Sequence, residues 1–142
     1  MPILNYSTTI AADKSVADIC KLLSAKGANK IITDYENGKV VSIQFAIAVK
    51  NTPIHFKLPC NWKQVQKALI KQKVAKKYQS DEHAIKVTWR ILKDWIEAQV
   101  ALIEAEQAAM EEVFIPYAIM ANKKTVSQNL LGEERSKFLL TT

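Results

Sequence analysis

Residues 37–49 join a tight-turn signal to a long alternating run, and they read Asn37-Gly38-Lys39-Val40-Val41-Ser42-Ile43-Gln44-Phe45-Ala46-Ile47-Ala48-Val49. Asparagine and glycine both tolerate the positive φ that a two-residue hairpin requires, so the pair predicts a turn between two antiparallel strands. The period of two that follows predicts a strand with one buried face. The residues expected on that face are Val41, Ile43, Phe45, Ile47 and Val49.

Further strands are predicted on both sides of this run. Residues 30–35 form the first arm of the hairpin, and residues 54–58 form another strand, with His55 and Lys57 on its outward face. Residues 3–10 alternate weakly and predict an N-terminal strand. The antiparallel sheet is therefore expected to have four strands.

Helices are predicted before the hairpin and after the last strand. The first should begin near Asp13 or Ser15 and stop at Gly27. The second covers residues 62–77, and a third covers residues 81–115, because apolar side chains recur there at spacings of three and four. The sequence thus predicts an α+β fold with an N-terminal strand and helix, a four-stranded antiparallel sheet, a basic helix and a long C-terminal helix.

The length of 142 residues, with 49% apolar and 24% charged residues, is typical of one globular domain. We therefore interpret residues 1–142 as a single domain. Its strand-rich scaffold covers residues 1–60, its helical part covers residues 61–121, and a tail covers residues 122–142.

The long helix raises the question of a partner. A helix over residues 81–115 would be about 52 Å long, whereas a domain of this size has a diameter of about 37 Å. Either the helix bends and the C-terminal segment folds back onto it, or two copies pack their helices together. The second alternative predicts a homo-oligomer. Its expected interface residues are Trp89, Leu92, Ile96, Val100, Ile103, Met110 and Phe114.

Charge is segregated along the chain. Residues 50–93 hold eleven Lys or Arg against Asp81 and Glu82, and residues 94–121 hold six acids without any Lys or Arg. Basic side chains recur at helical spacing on the second and third predicted helices. If these helices pack side by side, the two rows could form one basic surface that binds phosphates, either of a nucleic-acid backbone or of a nucleotide. The alternative is a solvated lysine face, and the scarcity of arginine weakens specific recognition of nucleic acid. The candidate phosphate-binding residues are Lys63, Lys67, Lys71, Lys86, Arg90 and Lys93.

Motifs for catalysis and for cofactors are missing. Three glycines cannot form a glycine-rich phosphate loop, and the two histidines, His55 and His83, are both expected to be exposed. A nucleophile pair of Cys60 and His55 has no recognised spacing. We therefore expect no catalytic residue, no metal site, no cofactor and no enzymatic activity.

The N-terminus lacks the basic and apolar regions of a signal peptide. No apolar stretch reaches the roughly 18 residues that a membrane span requires. The sequence therefore predicts a cytoplasmic protein without a membrane partner.

Four segments of the chain resemble a family of small uncharacterised proteins that are common in phages and prophages. They are Asn5-Tyr6-Ser7-Thr8-Thr9-Ile10, Asp34-Tyr35-Glu36-Asn37-Gly38, Phe56-Lys57-Leu58-Pro59-Cys60 and Trp89-Arg90-Ile91-Leu92-Lys93-Asp94-Trp95-Ile96-Glu97-Ala98-Gln99. The family carries no known activity, so the resemblance transfers no functional residue. It implies a small phage accessory protein, and such proteins are often stoichiometric binders.

Together these patterns predict a non-enzymatic binding protein of the phage accessory type. Such a protein would inhibit or sequester a component of host defence, which could be a partner protein or a phosphate-bearing nucleotide signal. The alternative is a nucleic-acid-binding protein that uses the lysine-rich helical face.

Overall fold

A three-stranded antiparallel sheet in the order β1-β2-β3, with helices before and after it, forms the fold of residues 1–140 in a computed structural model. The elements are α1 (Ala12–Ala25), β1 (Lys30–Glu36), β2 (Lys39–Val49), β3 (Thr52–Lys57), α2 (Trp62–Lys71), α3 (Asp81–Glu104), α4 (Met110–Val113) and α5 (Val126–Leu131). Short 3-10 turns lie at residues 76–78, 115–117 and 135–137. The predicted α+β class is confirmed, whereas the four-stranded sheet is wrong.

The hairpin between β1 and β2 forms as predicted, with φ of 51° at Asn37 and 77° at Gly38. The register then shifts, because Asp34 pairs with Ser42 whereas Tyr35 pairs with Val40. Val41 is the extra residue of this bulge. As a result Val40, not Val41, enters the core, where it is 3% exposed. Simple alternation holds for the rest of the buried face.

The predicted N-terminal strand is wrong, because residues 4–7 form turns. Asn5 adopts a φ of 65°, and Tyr6 and Thr8 donate backbone hydrogen bonds to carbonyls only three residues earlier. The amide of Ile3 donates to Oε1 of Gln72 at the end of α2. We call residues 3–8 the N-terminal strap, since they bond to α2 and α3 instead of to the sheet.

The predicted helix over residues 81–115 is too long. α3 ends at Glu104, so its 24 residues span about 36 Å. The chain then reverses through Glu106, which has a φ of 60°, and the amide of Gln107 caps the carbonyl of Leu102. The segment that follows packs back onto the core, which is the bent alternative of the sequence interpretation.

The core lies between the sheet and α1, α3 and α4. A cluster of aromatic rings fills its centre, in which Phe45 stacks on Phe56 at 5.0 Å and Phe114 meets both rings edge-on. The side chains expected at an oligomer interface are inside this core. Trp89, Leu92, Ile96, Val100, Met110 and Phe114 are each at most 7% exposed, and Ile103 packs against them. These residues therefore offer no surface to a second copy. Self-association stays a prediction, but its interface cannot consist of these residues.

The C-terminal segment is not a free tail over its described part. Ala118 pairs with Phe56 as an isolated β-bridge, and the amide of Ile119 donates to the carbonyl of His55 at 2.7 Å. Asn129 in α5 is 4% exposed and accepts a hydrogen bond from Asn122 at 2.6 Å. Residues 118–119 therefore bond to the edge of β3, and α5 packs against the turn at residues 115–117. Residues 141–142 of the predicted tail lie outside the described residues.

Truncation of Phe114 tests the return of the chain after α3. Phe114→Ala should lower the free energy of unfolding by about 3–5 kcal/mol, because the ring is fully buried among other aromatic rings. Ile115→Ala, at a neighbour that is 45% exposed, should change it by only about 0.5 kcal/mol. Chemical denaturation measures both. A small loss for Phe114→Ala together with a change in oligomeric state would contradict this packing.

Candidate functional site

Six lysines of α2 and the loop after it lie exposed on the outside of the molecule. We call Lys63, Lys67, Lys71, Lys73, Lys76 and Lys77 the lysine surface. Within residues 1–140 none of them forms an ion pair. No Asp or Glu occurs from residue 37 to residue 80, so nearby sequence supplies no counter-charge. Two of these lysines lie over aromatic rings, Lys63 at 5.8 Å from Trp62 and Lys77 at 5.0 Å from Tyr78.

The predicted cations of α3 are in a different situation. Arg90 donates from Nε and Nη2 to the hydroxyl of Ser15 at 3.0 and 2.8 Å, and from Nη2 to Asp18 at 3.3 Å. Lys93 pairs with Glu97 and lies 3.8 Å from the carboxylate of Asp94. Of the three predicted cations of α3, only Lys86, which is half-buried, has no ion pair among the described residues. Arg90 and Lys93 are thus held by partners of the same chain.

Ser15 does not mark the start of α1, although the sequence predicts that the helix begins near Asp13 or Ser15. α1 begins at Ala12, so Ser15 lies inside the helix, where it is fully buried and accepts from Arg90. A hydroxyl in the first turn of a helix resembles a cap in sequence, but here it anchors a cation from the helix packed against it. Arg90 therefore joins α1 to α3.

The pKa of Asp18 depends on its burial, on Lys14 and on Arg90. Partial burial raises it, but the charges of Lys14 and Arg90 and their hydrogen bonds outweigh that effect and hold the pKa of this carboxyl below its usual value. The ionised form of Asp18 is therefore favoured in the folded state.

The N-terminal strap covers part of α3 beside these residues. Its Asn5 donates to Asp94 at 2.8 Å, and the carbonyl of Tyr6 lies 2.6 Å from Nε2 of His83. A carbonyl oxygen only accepts, so Nε2 must carry the proton. His83 is 9% exposed, which corrects the expectation that it lies on the surface.

A groove of about 1120 Å³ lies on the sheet face opposite the core and was missed by the sequence interpretation. Its floor is the outer face of β2 and β3, and its wall is the returning C-terminal segment. We call it the sheet groove. Its polar lining residues are Asp34, Ser42, Gln44, His55, Lys57, Lys123, Thr125, Ser127 and Gln128, and its other lining residues are Val41, Leu58, Pro59, Cys60, Tyr117, Ile119, Met120 and Ala121.

The signal for the groove was partly present in the sequence. His55 and Lys57 were correctly placed on the outward face of β3, but a solvated face explained them equally well. The wall depends on residues 117–128 folding back, and their local sequence contains nothing that specifies contact with β3. None of the candidate phosphate-binding residues lines the groove.

Cys60 and His55 both line the groove, but their chemistry does not fit a nucleophile pair. Burial raises the pKa of the Cys60 thiol to about 12, whereas a nucleophilic cysteine needs a lowered pKa. Within the described residues no hydrogen bond joins Cys60 to His55. Burial also raises the pKa of Cys20, which lies elsewhere, in α1.

Two further kinds of site are not found in residues 1–140. No three His, Cys, Asp or Glu side chains of this part come together in a way that could hold a metal ion. Among these residues no helix combines the length and the apolar composition needed to cross a bilayer.

Comparison with protein-family models, with curated proteins and with solved structures gives no match. We therefore infer a function from the sequence and the geometry of this chain alone.

The Asp18 contact predicts a loss of stability in acid. Because its folded pKa is below the unfolded value of about 3.9, its stabilising effect is complete above that value and is lost as the pH falls through the folded pKa. Asp18→Asn should therefore lower the melting temperature at about pH 6, and the gap to the native chain should narrow towards about pH 2. Asp13→Asn, at an exposed position of the same helix, should not reproduce this narrowing. A gap that stays constant with pH would contradict the assignment.

Thiol modification tests the chemical state of Cys60. In a Cys20→Ser variant, Cys60 should react with a thiol-specific disulfide reagent at about pH 8 at least about 100-fold more slowly than a free thiol, because almost none of it is thiolate. The Cys60→Ser variant reports on Cys20 as the matched control and should react faster. Reaction of Cys60 at the rate of a free thiol would reopen the nucleophile interpretation.

Proposed function

We propose that the chain is a non-enzymatic accessory binding protein of the phage type whose lysine surface contacts the phosphate backbone of nucleic acid. The observation that carries this proposal is the set of six exposed lysines without ion pairs in residues 1–140. A cation without a protein partner is free to replace the counterions that surround a polyanion.

The shape of the lysine surface favours a polymer over a small ligand. Lys63, Lys67 and Lys71 follow one another at four-residue spacing, so their row extends about 12 Å along α2. The row lies on the outside of a helix and does not line the sheet groove. A small anion would remain in water on such a surface, whereas a nucleic-acid strand can contact several of these charges at once.

The chemistry of the surface favours binding that does not depend on base sequence. Lysine is a point charge without the planar fork that reads phosphates or guanines in a bidentate manner. The two rings nearest the row, Trp62 and Tyr78, each lie beneath a lysine and are only half-exposed. We expect the surface to bind through phosphates and to distinguish single from double strands only weakly.

Binding of this kind would serve an accessory role without catalysis. The protein could coat nucleic acid, or it could block a host-defence component that is bound to the same nucleic acid. In both cases it acts by stoichiometric binding and needs no catalytic residue. The raised pKa of Cys60 supports the absence of catalysis, since the best nucleophile candidate is held in its unreactive form.

Removal of three surface lysines tests the proposal. The native chain should shift a labelled oligonucleotide at about 50 mM salt, and the affinity should fall steeply as salt rises. Substitution of Lys63, Lys67 and Lys71 by Gln should lower the affinity at least about tenfold and reduce the slope of log K against log salt by about 2–3. Fluorescence anisotropy across a salt series measures both quantities.

The matched control removes the same charge elsewhere. Substitution of Lys21, Lys30 and Lys50 by Gln takes three exposed positive charges, without ion pairs in the described chain, from α1, β1 and the turn between β2 and β3. If net charge alone drives binding, both triple variants lose affinity equally, which would contradict a defined surface. Absence of any shift by the native chain at about 50 mM salt would end the proposal.

A further inference from the structure

We propose that the sheet groove binds a small molecule that carries a phosphate group and an uncharged body of about nucleotide size. The proposal is independent of the lysine surface, because none of its six lysines lines the groove. The volume of about 1120 Å³ lies slightly above the usual range for ligand sites, which is roughly 300–1000 Å³. The groove therefore has room for much more than a free ion.

Three cationic or ionisable side chains face the groove from two sides. Lys57 projects from β3 beside its cross-strand partner Gln44, and His55 lies two residues earlier on the same face. Lys57 and His55 thus rise from the floor, whereas Lys123 comes from the wall, in a tight turn with a φ of 70°. Within residues 1–140 neither lysine has an ion pair, and the His55 ring makes no hydrogen bond. These donors are free to bind an anion.

The acid in the groove does not cancel these charges. Asp34 is the only carboxylate among the lining residues of the described chain, and its Oδ2 accepts a hydrogen bond from the Ser42 hydroxyl at 2.7 Å. The lining therefore carries a net positive charge from Lys57 and Lys123. An anionic ligand is favoured over a neutral or a cationic one.

The pair of lysines suits a phosphate. Lysines bind phosphates as point charges. A phosphate monoester carries roughly −1.5 to −2 charges at neutral pH and three strong acceptor oxygens, so it can accept from both ammonium groups at once, whereas a carboxylate offers two oxygens and a single charge.

The remaining lining suits an uncharged body. Val41 reaches the groove because of the bulge in β2, and Leu58, Ile119 and Met120 add apolar contacts. The ring of Tyr117 is held by an edge-on contact with Trp95 at 5.7 Å. A flat ring system, such as a nucleobase, could pack on this wall while the amide of Gln44 reaches its polar edge.

Calorimetric titration with the common ribonucleoside monophosphates tests the proposal. At least one should bind with one-to-one stoichiometry and a dissociation constant below about 1 mM. Lys57→Gln and Lys123→Gln should each weaken that binding about tenfold or more, because each removes a charge-assisted hydrogen bond. Lys57→Arg keeps the charge and should retain most of the affinity, and circular dichroism checks that each variant is folded.

The matched control is Lys30→Gln, which removes a lysine of the same sheet that does not line the groove; it should bind as the native chain does. Saturating nucleotide should also slow the modification of Cys60 in the Cys20→Ser variant. The triple variant of Lys63, Lys67 and Lys71 should keep its affinity for the nucleotide, so a failure of the nucleic-acid proposal leaves this result untouched.

Four results would overturn the proposal. They are absence of binding by every probe at about 5 mM, equal affinity for the matching nucleoside, equal affinity for inorganic phosphate, and unchanged affinity in both Lys57→Gln and Lys123→Gln. The nucleoside tests whether the phosphate group contributes to affinity, and inorganic phosphate tests whether the uncharged body contributes. The two lysine variants test whether the ligand binds in the sheet groove.

Discussion

The indole N–H of Trp89 donates to the carbonyl of Val40 at 3.0 Å, and this bond ties the first half of α3 to the start of β2, the central strand of the sheet. Trp89 is fully buried, so its N–H needs a partner inside the protein. Val40 supplies it next to the bulge, where the register of β2 changes. α3 covers one face of the sheet, so the opposite face stays open to the returning C-terminal segment. The sheet groove forms between that open face and the C-terminal segment.

The same helix explains why the two sets of cations differ. α3 packs against α1 through Arg90 and Ser15, and against α2 through a second apolar cluster that contains Leu69 and Val87. A cation at a helix–helix contact must be paired, because burial of an unpaired charge is costly. Lysines on the outer side of α2 face water and need no partner. Packing therefore assigns Arg90 to the structure and leaves the lysine surface available for binding.

Local signals in the sequence specified much of the fold. Asn37-Gly38 marked the hairpin, Asn61 and Ser80 cap α2 and α3 with their side chains, and the buried face of β2 follows its alternation from Ile43. The features that were missed depend on distant contacts. The residues after Glu104 continue a helical pattern, and what turns them is the burial of Phe114 among rings from β2 and β3. The strap has a strand-like alternation, but its partners are Gln72, His83 and Asp94, which lie far along the chain.

The two proposed sites use the same side chain under different physical conditions. On the lysine surface each ammonium faces bulk water, so its attraction to a phosphate is weak and strongly screened by salt. Affinity there must come from many contacts, which only a polymer supplies. In the groove, Lys57 and Lys123 are exposed as well, but they face one concave space from its floor and its wall. One phosphate could therefore accept from both ammonium groups, and the wall around Tyr117 could contact the body attached to it. The arrangement of the lysines thus favours a long polyanion on the outer face of α2 and a single small anion in the groove.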